Sequence, residues 1–245
     1  MEYVRKILPY TPYALLSLLV MGPLLLPGFV LSMDMVFTPV LRMPDHVDNT
    51  WLFYAALHVL NGVLPADFIQ KVLLLIVLLL SGIGAHRFLR VLRPNGEKYF
   101  AVASYIGSAL YMVNPFVYDR FMAGQYGVLL GYSLLPWFAM SLRKFVREPG
   151  WKSLTPMICW AVGMSIVSIH SLGWVAVLAL CATAMYLRNR QHFWSIMKFG
   201  VLGVIIFAIV GAYWLLPALV GQGRIANSLN TFSDAERQAF ATVDT

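Results

Sequence analysis

Charge is what this sequence has least of. Only 12% of its 245 residues are Asp, Glu, Lys or Arg, against roughly 25% in soluble domains. Apolar residues make up 60%, and the mean hydropathy is +0.72. That balance excludes an ordinary soluble globular domain. It also excludes disorder, which needs low hydrophobicity. Cysteine is scarce too. Cys159 and Cys181 both sit in apolar runs and read as packing residues rather than a disulfide or metal pair. No CxxC, HExxH or glycine-rich phosphate loop is present, so zinc-peptidase and P-loop chemistry have no footing. A net charge of +7 in a soluble protein would point to nucleic acid. Here the bases are scattered over short segments instead of gathered on one surface, so nucleic acid is not an expected partner.

What is present is apolar length. A bilayer core of ~30 Å needs about 20 mostly apolar residues in a helix. The sequence predicts seven such segments, at 11–32, 68–89, 99–114, 126–142, 154–170, 171–187 and 199–219. The fifth and sixth read as a hairpin, because Ser168-Ile169-His170-Ser171 before Gly173 offers a turn. The expected fold class is an all-α integral membrane protein of about seven transmembrane helices. Residues 1–219 form its membrane domain, and 220–245 form an outer tail. In that tail Ser233-Asp234-Ala235-Glu236 reads as a helix start, as if a longer protein continued beyond it.

The few charges sort by side. With seven spans the cytoplasmic segments are 1–10, 90–98, 143–153 and 188–198, give or take an edge residue. They hold thirteen of the 18 bases: Arg5, Lys6, Arg87, Arg90, Arg93, Lys98, Arg143, Lys144, Arg147, Lys152, Arg188, Arg190 and Lys198. Of the 11 acids they hold only Glu2, Glu97 and Glu148. Every inner segment is basic and no outer one is. This is the positive-inside pattern, with the N-terminus in the cytoplasm and the C-terminus outside a cell membrane.

The chemistry-bearing residues then collect on the outer face. The first outer loop, 33–67, carries Asp34 directly after the first span. A carboxylate held at the membrane surface can act as a general base or bind a divalent cation. Asp45, His46 and Asp48 are metal-ligand types at close spacing, though three ligands within four loop residues are awkward for one ion. Asp48 or Asn49 can equally cap the next helix. That helix, 49–63, reads as amphipathic. Thr50, Tyr54, His58 and Asn61 form a polar stripe, and Trp51, Leu52, Ala55, Ala56, Val59, Leu60 and Val63 form the apolar face. It is too short to span and is expected to lie in the interface plane.

In the second outer loop, Pro115 ends the third span, and Asp119 and Arg120 follow near membrane depth. Arg120 suits bidentate binding of a phosphate; an Asp119–Arg120 pair is the plainer reading. Gly127 and Gly131 form a GxxxG, which reads as helix packing. His170 at the outer turn, Lys71 just inside the second span and Arg224 after the seventh complete the outer set.

The arrangement resembles the C-type, multi-span glycosyltransferases, which use a polyprenyl-phosphate-linked sugar on the outer face of the membrane. The residues that carry the likeness are Pro27-Gly28, Asp34 after the first span and the 49–63 helix. To these are added the run from Asn114 to Gln125 and the Tyr-Trp-Leu-Leu-Pro run from Tyr213 to Pro217. They are similar to the N-terminal part of arabinofuranosyltransferase-like proteins. The resemblance implies Asp34 as catalytic base. It implies Asn114, Tyr118, Asp119, Arg120, Gln125, Lys71, His170 and Arg224 as substrate-contacting candidates. A divalent cation or one of these bases would offset charge on the lipid phosphate. A transporter and a non-catalytic membrane subunit are the alternative readings.

Overall fold

Peptide groups in hydrocarbon find no water, and a helix is the local way to satisfy them. A computed structural model describes residues 8–35, 37–92, 99–187 and 189–220. Every regular element among them is a helix, apart from one isolated bridge between Ser32 and Met35. A 3₁₀ turn, Leu8–Tyr10, leads into α1 (Thr11–Met21), which tightens into a second 3₁₀ segment, Gly22–Leu25. Then come α2 (Trp51–Asn61), α3 (Ala66–Leu92), α4 (Phe100–Met112), α5 (Pro115–Met122) and α6 (Tyr126–Arg147). The chain continues as α7 (Trp151–Val167), α8 (Ser171–Ala184), α9 (Arg190–Val210) and α10 (Ala212–Leu219).

Among the described residues four helical stretches are long and apolar enough to cross a membrane: Leu8–Leu25, Ala66–Leu92, Phe100–Met122 and Arg190–Val210. Each of the seven expected segments carries a helix, but α7 has 17 residues and α8 only 14. The hairpin turn falls where the sequence places it, with Ser168 in an extended conformation between α7 and α8. Two boundaries differ. The first helical stretch ends at Leu25 instead of residue 32, because Leu26 turns extended just before Pro27-Gly28. The last apolar helix begins at Arg190, inside a segment expected to be loop. The Asn189 side chain caps it by accepting from the His192 N–H at 3.2 Å, and the helix breaks at Gly211. The tail motif at 233–236 lies outside the described residues.

The centre is α6, which packs against α3, α7 and α8, while α3 also holds α1 and α4. One core gathers Tyr13, Leu74, Met112 and Leu129; a second gathers Phe138, Leu154, Met164 and Ile196. The outside is apolar as well. Leu19, Leu180 and Ile209 are among many large apolar side chains left open, a surface suited to lipid and not to water. Cys159 and Cys181 are free and exposed on that surface, not packed in the core as expected.

Proline sets the joint between α4, α5 and α6. Pro136 lies inside α6 and has no N–H for the Tyr132 carbonyl four residues back. The Tyr111 hydroxyl donates to that carbonyl instead, at 2.9 Å. The end of α4 at Met112, ahead of Pro115, leaves the Tyr111 carbonyl open as well. The Tyr132 hydroxyl donates to it at 3.1 Å, and the Asn114 amide at 3.0 Å. The two rings stack 4.2 Å apart, 10° from parallel. Each tyrosine thus donates to the open carbonyl of the other, one freed by Pro136 and one by the end of α4.

Candidate functional site

The site is built on a turn that neither neighbouring helix could form alone. After Leu25 the chain runs along α3 without regular structure. Gln70, fully buried, clamps it: its Oε1 accepts from the Val30 N–H at 2.9 Å and its Nε2 donates to the Val30 carbonyl at 2.7 Å. Lys71 donates to the Leu26 carbonyl at 2.6 Å and lies 3.6 Å from the Asp67 carboxylate. Residues 32–35 then dock on the C-terminal end of α5. The Asp34 N–H donates to the Ala123 carbonyl at 2.9 Å, and Ser32 Oγ donates to the Phe121 carbonyl at 3.3 Å. Carbonyls that a helix end leaves open are satisfied this way.

Gly124 makes the docking possible. Its φ is +78°, a region that costs other residues strain. A Cβ there would stand 2.8 Å from the Asp34 nitrogen and closer still to that of Met35. Gly127 and Gly131 serve the opposite wall. A Cβ on Gly127 would meet the Val167 carbonyl at 2.6 Å, and one on Gly131 would run into the Ser171 hydroxyl. The GxxxG pair therefore lets α6 approach the α7–α8 corner.

Between these walls lies a cavity of about 920 Å³ lined by Asp34, Arg120, Gln125, His170 and an aromatic set including Tyr54, Phe116, Tyr126 and Trp174. Its polar residues are wired together. Arg120 Nη1 donates to Gln125 Oε1 at 2.7 Å, and Gln125 Nε2 donates to Asp34 Oδ2 at 3.3 Å. Arg120 Nη2 sits 3.1 Å from the exposed Asp119 carboxylate. Its Nε is buried without a partner among the described residues, and its guanidinium carbon lies 5.7 Å from the centre of the Phe116 ring. Tyr54 and Tyr126 share a hydroxyl–hydroxyl bond of 2.8 Å. The arrangement offers an acid and a cation bridged by Gln125, with flat rings lining the same cavity.

Other candidate residues go elsewhere. Lys71 braces the loop under Asp34 and does not line the cavity. Asn114 caps α5 by accepting from the Val117 N–H at 3.1 Å. Tyr118 is largely exposed away from the cavity. Arg224 lies outside the described residues. Asp48 Oδ1 accepts from the Thr50 N–H and the Thr50 hydroxyl, at 2.8 and 2.7 Å, so it shapes the entry to α2 rather than joining Asp45 and His46, both exposed. Among the described residues no three His, Cys, Asp or Glu side chains come together to hold a metal ion.

Three polar side chains of α2 bond within the protein, although His58 stays exposed. Tyr54 reaches Tyr126, His58 Nδ1 is 2.5 Å from the Leu41 carbonyl, and Asn61 Oδ1 accepts from the Leu41 N–H at 2.8 Å. Leu52, Val59 and Leu60 are left outside. Sequence reasoning passed over Gln70, Gly124 and Trp174. A glutamine beside Lys71 at the head of a long apolar run was the available signal for the first. No known family, curated relative or solved structure matches the chain.

Proposed function

We propose that this protein is a membrane glycosyltransferase that moves a sugar from a polyprenyl-phosphate donor to an acceptor on the outer face of a cell membrane. One observation carries the reading. Gln125 links the Asp34 carboxylate to the Arg120 guanidinium on the wall of a single cavity. A base and a phosphate-binding cation held one side chain apart suit a displacement at an anomeric carbon.

In that reaction Asp34 takes the proton of the acceptor hydroxyl as its oxygen bonds to the anomeric carbon. The bond from that carbon to the phosphate oxygen breaks, and the lipid phosphate leaves with the electron pair. Arg120, on the cavity wall, offsets the charge that grows on the phosphate. Gln125 holds both groups in register, and His170 stands at the rim beside Ser168. The aromatic rings give the sugar's apolar faces a surface to lie on. No step is routed through a metal ion.

The membrane frame belongs to the same proposal. Seven spans put the N-terminus in the cytoplasm and the cavity outside, and α2 lies in the interface plane with Leu52, Val59 and Leu60 toward lipid. Asp34→Asn tests the chemistry. It keeps the shape and the bond from Gln125 but removes the base, and sugar transfer should fall by at least about a hundredfold. The variant should insert and unfold like the parent protein. Full transfer in that variant removes Asp34 as base. Uptake of the lipid-linked sugar into vesicles without any glycosidic product favours a transporter instead.

A further inference from the structure

The opposite end of the same helices carries a second pocket with different chemistry. A groove of about 510 Å³ opens between the C-terminal halves of α3 and α6 and the N-terminal half of α7. Arg87, Arg90 and Lys144 line it, and no Asp or Glu does. All three cations are exposed, and none pairs with a carboxylate among the described residues. The floor is indole. Trp137 and Trp160 stack 5.6 Å apart at 29°, and the Arg87 guanidinium sits 5.2 Å from the Trp137 ring centre. Trp137 is itself pinned by donating to the Leu80 carbonyl at 3.2 Å. Val91, Met140 and Pro156 continue the wall in apolar character.

A surplus of positive charge explains sidedness, but it does not require three cations around one concavity. Topology is satisfied by bases on separate loops. Convergence on a rigid aromatic floor, with an apolar wall running along the helices, fits a ligand that is anionic at one end and apolar at the other. We infer that this groove binds the headgroup of an anionic phospholipid of the cytoplasmic leaflet, such as phosphatidylglycerol. The phosphate lies among Arg87, Arg90 and Lys144, and the acyl chains follow Val91 and Met140. Basic pockets between membrane helices on this side take such headgroups, and indole is at home at headgroup level. The inference rests on the sidedness given by the charges and not on the transferase reading.

The test is native mass spectrometry of the full chain, released from nanodiscs of equal phosphatidylglycerol and phosphatidylcholine. The parent protein should retain phosphatidylglycerol at least about tenfold over phosphatidylcholine. A surface cation contributes a factor of about five. Lys144→Gln, at an exposed position, should lower the preference by about that factor, and Arg87→Gln with Lys144→Gln should remove it, so that both lipids are retained about equally. Arg42→Gln, in the first outer loop, should leave it unchanged. Equal retention of both lipids by the parent protein overturns the inference. So does an unchanged preference in correctly folded Lys144→Gln. Displacement of the lipid by inorganic phosphate at matched concentration would also overturn it, since the site would then read phosphate alone.

Discussion

Gly124 shows how much of the site hangs on one backbone position. Its positive φ and its contact with the nitrogens of Asp34 and Met35 leave no room for a side chain. Gly124→Ala should cost about 1–3 kcal/mol from the backbone conformation alone. The clash with residues 34 and 35 adds to that. Thermal unfolding in detergent measures the first effect. Under the proposed function, sugar transfer should fall with it even where the fold survives, because the Ala123 carbonyl can no longer hold Asp34 in place. A variant with parental stability and parental transfer would show that this docking is not needed. Gln70 works at the same scale from the other side, since its two bonds to Val30 hold the strand of loop that leads to Asp34.

At the scale of elements, two prolines and two tyrosines decide how α4, α5 and α6 join. Without the Tyr111 hydroxyl, the Tyr132 carbonyl loses the donor that replaces the one Pro136 lacks. Tyr111→Phe should therefore destabilise by about 1–3 kcal/mol, the cost of leaving one buried polar group unmet. The same change in a Pro136→Ala background should cost clearly less, because alanine restores the N–H within the helix. A double-mutant cycle measures that coupling, and purely additive effects would contradict the repair. Helix existence could be read from apolar runs here, and so could the α7–α8 turn from Ser168 to Gly173. The end of the first helical stretch and the start of α9 were not legible. Caps such as Asn189 and the turn at Leu26 act over single residues, whereas hydropathy averages over many.

For the whole molecule, the proposed seven-span topology puts the Asp34 cavity and the basic groove on opposite faces of the membrane. In a chain with Cys159 and Cys181 replaced by Ala, a cysteine at His170 should react with an impermeant reagent on intact cells. One at Gly150 should react only after permeabilisation. Labelling of both from the same side would reject that topology.

The sequence by itself determined the apolar, membrane-suited character of the chain, and it raised the expectation of a sidedness. Both are carried by contiguous segments, long apolar runs in one case and the sign of short loops in the other, and they need no tertiary contact. It also singled out Asp34, Arg120 and His170 on their own local merits, and Gln125 through the resemblance of the run that carries it. Only the tertiary structure decided that these four share a cavity while Lys71, Asn114 and Asp48 brace backbone elsewhere. Asp34 and Gln125 are 91 residues apart, and nothing in either segment encodes the distance between them. That distance follows from Gly124 allowing close approach, Gln70 clamping the loop and Gly127 with Gly131 drawing α6 to its neighbours. Polar partners carry the same lesson: the Tyr54 hydroxyl of α2 meets that of Tyr126, 72 residues away, and neither segment encodes the pairing.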